Sequence, residues 1–174
     1  MGEIVLISVL GPDRTGLVAA VAGRVYELGG NLGDTTFAVL GEGCELSTVV
    51  ELPDDLSVSE LEAELAELPE LEGARLEVRP FEFEPVHAPS ARITHRVELS
   101  GGDRPGIIAR LSEVFTNFGA NVVRLNSEMM PGSGGASYNT RFAVAIPEAN
   151  ASACLATVAN IAGQLDLVCR WEKV

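Results

Sequence analysis

The chain of 174 residues is 47% hydrophobic and 21% charged, with a formal net charge of −13. That balance describes a globular chain and excludes a disordered one, and no apolar run approaches the ~20 residues that a bilayer-spanning helix needs. A surface so acidic repels phosphate and carries no basic stripe interleaved with aromatics, which argues against direct binding of nucleic acid.

The stretch "EIVLISVL" predicts a first strand that ends in the turn "GPDRTG" at 11–16. Leu17, Val18, Val21, Val25 and Leu28 then fall on one face of a helix, which runs into Gly29 and Asn31. "NLGDTTFAVL" and "CELSTVVEL" read as a hairpin around "GEG". A Glu-rich helix follows, N-capped near Ser57 or Ser59, with Leu61, Leu65 and Leu68 facing inward and its glutamates solvated. The strand "ARLEVRPF" completes the order β-α-β-β-α-β, the ferredoxin-like split βαβ arrangement.

The same order then repeats. "GGDRPG" stands at 101–106, ninety residues after "GPDRTG", and Ile107, Ile108, Leu111, Phe115 and Phe118 repeat the helical register before Gly119 and Asn121. The first strand of this copy is "ITHRVELS" and its helix spans 105–119. "NVVRLNSEMM" and "SYNTRFAVAI" form the hairpin, a helix covers about 151–164, with Asn150 read as its cap, and "DLVCRWEKV" is the last strand. Pro53 matches Pro147 at an offset of ninety-four, so the second hairpin loop, containing "PGSGGAS", is four residues longer. Self-similarity over a whole unit marks an internal duplication. Two α+β domains are expected, at 1–83 and 92–174, each an antiparallel sheet with helices on one face, joined by a linker at 84–91 that carries two prolines.

Charge divides unevenly between the copies. Residues 1–90 hold four arginines, no lysine and 18 acids, a net of −14, whereas residues 91–174 carry a net of +1. Cys44, Cys154 and Cys169 are odd in number and without paired spacing, so they read as small buried apolar residues, and no metal or cofactor is expected. The N-terminus has no basic region before its short apolar stretch, and the expected location is the cytoplasm. Catalysis has no foothold: His87 lies in the linker and His95 alternates with Val97 and Leu99 on the presumed core face, while "GSGG" at 132–135 connects two strands rather than a strand and a helix.

A βαββαβ unit of about eighty residues with "DRxG" before its first helix and "GxN" opening its second strand resembles an ACT domain. "DRTG...GGN" and "DRPG...GAN" carry the likeness, and two such units cover nearly the whole chain. A tandem pair resembles the glycine cleavage system transcriptional repressor family. The resemblance implies an amino-acid-responsive regulatory protein, not itself an enzyme, whose ligand is a small amino acid such as glycine or serine and whose partner is a protein such as a transcription regulator. The alternative is a regulatory subunit or fragment of an ACT-containing enzyme, such as a formyltetrahydrofolate deformylase-like protein.

The residues of the motif suit such a ligand. Asp13 and Asp103 can N-cap the helices that follow, and Gly16 and Gly106 leave room for a ligand or neighbouring backbone. Free N–H groups at a helix start favour a carboxylate, an Asp favours an ammonium, and Asn31 and Asn121 offer amides to orient both. Arg14 and Arg104 can grip a carboxylate or pair with a neighbouring acid. Each of these residues is equally at home in a turn for conformational reasons alone.

The two first strands differ on the face away from the helices. Thr94, Arg96 and Glu98 suit water, whereas Ile4, Leu6 and Ser8, continued by Leu10, leave the first strand nearly apolar on both sides. A cover is expected there, foremost a second copy of the chain in a homodimer, with a partner protein or the linker as the alternatives.

Overall fold

Strict alternation carries β1 (Ile4–Pro12) through the middle of a sheet, with Val5, Ile7 and Val9 wholly buried on one face. This is a computed structural model that describes residues 2–130 and 137–174. After β1 come α1 (Leu17–Glu27), the hairpin β2 (Asn31–Leu40) and β3 (Gly43–Glu51), then α2 (Val58–Ala66) and β4 (Arg75–Pro80). The second copy follows as β5 (His95–Gly102), α3 (Ile107–Asn117), β6 (Asn121–Met130), β7 (Ser137–Ala145), α4 (Ala151–Gln164) and β8 (Val168–Lys173). The extra length of the second hairpin loop falls at 131–136, outside the described residues.

The chain divides into two compact units, Met1–Pro85 and Val86–Val174. Each has an antiparallel four-stranded sheet, in the order β2-β3-β1-β4 and β6-β7-β5-β8. Each closes its own core. Leu17, Val21 and Val25 of α1 and Leu61 and Leu65 of α2 pack on the inner face of the first sheet, and Leu111, Phe115, Cys154, Leu155 and Val158 do the same in the second. This is the ferredoxin-like βαββαβ unit, built twice.

The recurring glycine after the first helix has a backbone explanation. Gly29 (φ 80°) donates to Tyr26 O and Gly30 to Val25 O, while Gly119 (φ 69°) donates to Thr116 O and Ala120 to Phe115 O. Both are Schellman motifs, with glycine in the left-handed position that ends a helix. At the other helix start, Ser57 forms a capping box with Glu60, whose carboxyl is held below its usual range by the Ser57 hydroxyl and amide. Asn150 occupies the N-cap position of α4, but its side chain caps nothing there and donates instead to Phe118 O at 2.9 Å.

His95 is buried, as its place in the strand requires, and Thr94 Oγ1 lies 2.9 Å from its Nδ1. Burial first, and the charge of Lys173 second, push its pKa below the ordinary histidine value. The imidazole is a neutral core group. Burial also pushes the Cys44, Cys154 and Cys169 thiols up, away from the reactive thiolate.

The outward faces of the sheets follow the contrast in sequence. On β5 and its neighbours, Arg96 pairs with Glu172 at 3.1 Å, and Glu98 accepts from Asn139 at 2.9 Å and from Arg141 at 3.2 Å. On β1, Ile4, Leu6 and Ser8 are half-buried and Leu10 is exposed. Leu6 stands between Val49 of β3 and Arg79 of β4.

Candidate functional site

The turn between the first strand and first helix of each unit is built by glycine, not by aspartate. Gly16 (φ 94°) and Gly106 (φ 82°) occupy the N-cap positions in the left-handed conformation, and neither helix has a side-chain cap. Asp13 and Asp103 are therefore not the caps expected of them. Both lie exposed three residues before those glycines. A Cβ at Gly16 or Gly106 would meet nothing within 4 Å, so the backbone conformation, and not crowding, calls for glycine there.

Arg104 fastens the turn to the C-terminal end of α4, and Arg14 fastens its turn to the segment that follows α2. Arg14 Nη1 donates to Pro69 O at 2.7 Å and lies 3.8 Å from Glu72 Oε2. Arg104 Nε donates to Leu165 O at 2.8 Å, with its Nη2 3.8 Å from Asp166 Oδ2. Asp166 is itself left-handed (φ 56°) at the place where the first unit has Gly73 (φ 78°). On Leu165 O, at the end of α4, the Arg104 cation complements the helix's negative pole.

In the second unit the turn borders a pocket of ≈ 220 Å³ between the inner face of the sheet and the start of α3. Leu99, Ile107 and Leu167 supply an apolar floor, Ser127, Tyr138 and Thr140 supply hydroxyls, and the segment from Asp103 to Gly106 forms the rim. Ser127 and Thr140 face each other across β6 and β7, with their hydroxyl oxygens 2.8 Å apart. One hydroxyl proton is spent on that bond, which leaves the other to donate to a guest. The Ile107 amide donates to Arg104 O at 3.2 Å; the next amides of α3 have no acceptor within the helix and favour an anion, while the Asp103 carboxylate favours a cation. The arrangement can hold a small zwitterion. Among the described residues, no group of three or more His, Cys, Asp or Glu is placed to hold a metal ion.

Asn31 and Asn121 are not part of this geometry. Asn31 pairs with Glu51, which in turn pairs with Ile4 at the opposite end of β1 from Asp13. Asn121 pairs with Ala145 beside the start of β5, and its Nδ2 donates to Ser90 O at 2.9 Å. Nine residues of strand separate each asparagine from the aspartate of its own unit, about 30 Å. Within a unit the two halves of the sequence motif mark opposite ends of the sheet. The hydroxyls of Ser127, Tyr138 and Thr140 carry no local sequence signal, because only the strand register brings them to one place.

The family model described as ACT domain matches residues 3–79. A UPF0237 protein of Streptococcus mutans is 39% identical over 59 residues, which are 34% of this chain and 67% of that protein. Solved structures also match over nearly the whole chain. One, of an unknown protein from Galdieria sulphuraria, has a TM-score of 0.75 at 21% identity, covering 99% of this chain and 98% of that one. Another, assigned as a glycine cleavage system transcriptional repressor, has a TM-score of 0.66 at 15% identity, covering 99% and 97%. At these identities the structural likeness is one of fold.

Proposed function

The chain belongs to the ACT domain family, and from that premise we propose that it is an amino-acid-responsive regulatory protein that acts on another protein. The second unit's pocket carries this reading, because it sets opening amides, a carboxylate and hydroxyls around a space of amino-acid size. A small amino acid, glycine or serine among them, places its carboxylate against the start of α3 and its ammonium beside Asp103. Asp103, Arg104 and Gly106 form the rim of the site; Asp13, Arg14 and Gly16 are the matching turn of the first unit.

The regulated partner is a transcription regulator or a metabolic enzyme, and the protein is not itself an enzyme. Support comes from the likeness over both units to a protein assigned as a glycine cleavage system transcriptional repressor. A net charge of −13 turns the chain away from DNA, so an effect on transcription passes through the partner. The protein works in the cytoplasm; no described helix is long and apolar enough to cross a membrane.

Equilibrium dialysis with labelled glycine and L-serine tests the ligand. The unmodified chain is expected to bind one of them, and Asp103→Ala to weaken that binding about tenfold, the loss of one charge-assisted contact. The variant stays folded because Asp103 is exposed and caps nothing. If neither amino acid binds, or the variant binds undiminished, this site assignment fails.

A homodimer through the outward face of the first sheet is the assembly we propose. Ile4, Leu6 and Val49 form its apolar centre, flanked by Arg75, Glu77 and Arg79 on β4 and by Glu45 and Glu51 on β3. A two-fold axis along β1 lays Arg75 over Glu45 of a second copy and Arg79 over Val49, one outward position from Glu51, so the face matches itself in polarity and brings opposite charges together at the Arg75 end. Leu6→Arg is expected to yield a folded monomer in sedimentation velocity. Sedimentation that finds the unmodified chain monomeric at high concentration removes the dimer.

A further inference from the structure

Strand register shows which residues of the two units occupy the same place. Val9 pairs with Leu46 and Leu99 pairs with Thr140, so Leu46 and Thr140 correspond. On the hairpins, Phe37 pairs with Leu46 and Ser127 with Thr140, so Phe37 and Ser127 correspond. Gly11 pairs with Cys44 and Gly101 with Tyr138, which matches Cys44 to Tyr138. All three hydroxyl positions of the second unit's pocket are thus apolar or thiol positions in the first.

The packing differs accordingly. Leu17, Cys44 and Leu46 are at most 2% exposed and belong to the first core. Their counterparts Ile107 and Tyr138 are only half-buried, and the pocket stands between them. The first unit does have a hydroxyl pair, Thr35 and Thr48 at 2.6 Å, but it lies at the level of Ile7, one inward-facing position deeper, where the second unit has Leu125 and Phe142. A polar pair at that depth, beneath Leu46, does not face the turn.

We propose that the second unit alone takes the ligand, and that Ser127, Thr140 and Tyr138 select an uncharged small amino acid whose side chain can hydrogen-bond. This rests on the amino-acid reading above. The side chain enters over the Leu99, Ile107 and Leu167 floor and meets the free hydroxyl proton of the Ser127–Thr140 pair, while the zwitterion stays at the rim. A charged side chain would be stranded against that apolar floor. The first unit, with leucine where the second has Thr140, has given the same space to its core and serves the assembly instead.

Equilibrium dialysis of the full chain with labelled L-serine and L-alanine tests this. Saturation at one equivalent per chain is expected, with L-serine bound roughly three- to tenfold more tightly, the worth of one neutral hydrogen bond. S127A/T140V should erase that preference and keep L-alanine binding. S127F/T140L, which places the first unit's residues in the second, should abolish binding of both. Circular dichroism reports whether each variant is folded; if S127F/T140L is not, S127A/T140V decides. Two equivalents per chain, or a serine preference that survives S127A/T140V, overturns the inference and leaves the amino-acid reading standing. Failure of both probes to bind sinks that reading and this inference with it.

Discussion

Phe115→Ala is expected to unfold the second unit while the first keeps its structure. The Phe115 ring is fully buried and lies tilted against Phe142 with centroids 5.3 Å apart, at the centre of the second core. Truncating a buried phenylalanine costs about 3–5 kcal/mol, because the lost burial is compounded by a cavity that its neighbours fill only in part. A unit of this size holds a net stability near the low end of about 5–15 kcal/mol, so the loss takes most of what it has. Hydrogen exchange should show protection lost across the β5, β7 and β8 amides and kept across those of β1, β3 and β4. Amino-acid binding should vanish with the second unit. Equal loss of protection in both units would show that their cores do not stand separately.

Gly11→Val is the counterpart in the first unit. Gly11 passes so close to the start of β4 that an added Cβ would stand 2.4 Å from Ala74 Cβ and 2.7 Å from Ala74 Cα. Backbone is on the receiving side of that clash, so no rotamer change relieves it, and β1 and β4 must part at the turn. The cost is expected at the upper end of overpacking, about 3 kcal/mol. A lowered first-unit transition in thermal unfolding is the expected readout, with ligand stoichiometry and affinity unchanged. Loss of binding alongside the first unit would place a ligand contact there.

Much of this molecule is written in contiguous residues. The duplication, the order of elements, the inward stripe of Leu61, Leu65 and Leu68, the Ser57 cap and the core position of His95 all depend on neighbours within a turn or two, and each was legible. The family too was legible, since the turn motif recurs in the same local setting twice. Even so, local reading erred where two residues compete for one role. Asp13 and Asp103 are good caps in isolation, yet the left-handed glycines three residues on take the N-cap position and leave the carboxylates free.

The pair of βαββαβ units and the place of their turns follow from contiguous residues, whereas which residues meet at those turns follows from how the strands pair and pack. Asn121 follows α3 closely in the chain, but the helix returns it to the far end of the sheet from Asp103. Ser127 and Thr140 look unremarkable thirteen residues apart, until the register of β6 and β7 sets their oxygens 2.8 Å from each other over the pocket. A shift of that register by one residue would turn both to the opposite face. Elements form from short-range periodicity, whereas a site is an intersection of strands, and the register that makes it is fixed by packing of the whole face against the helices.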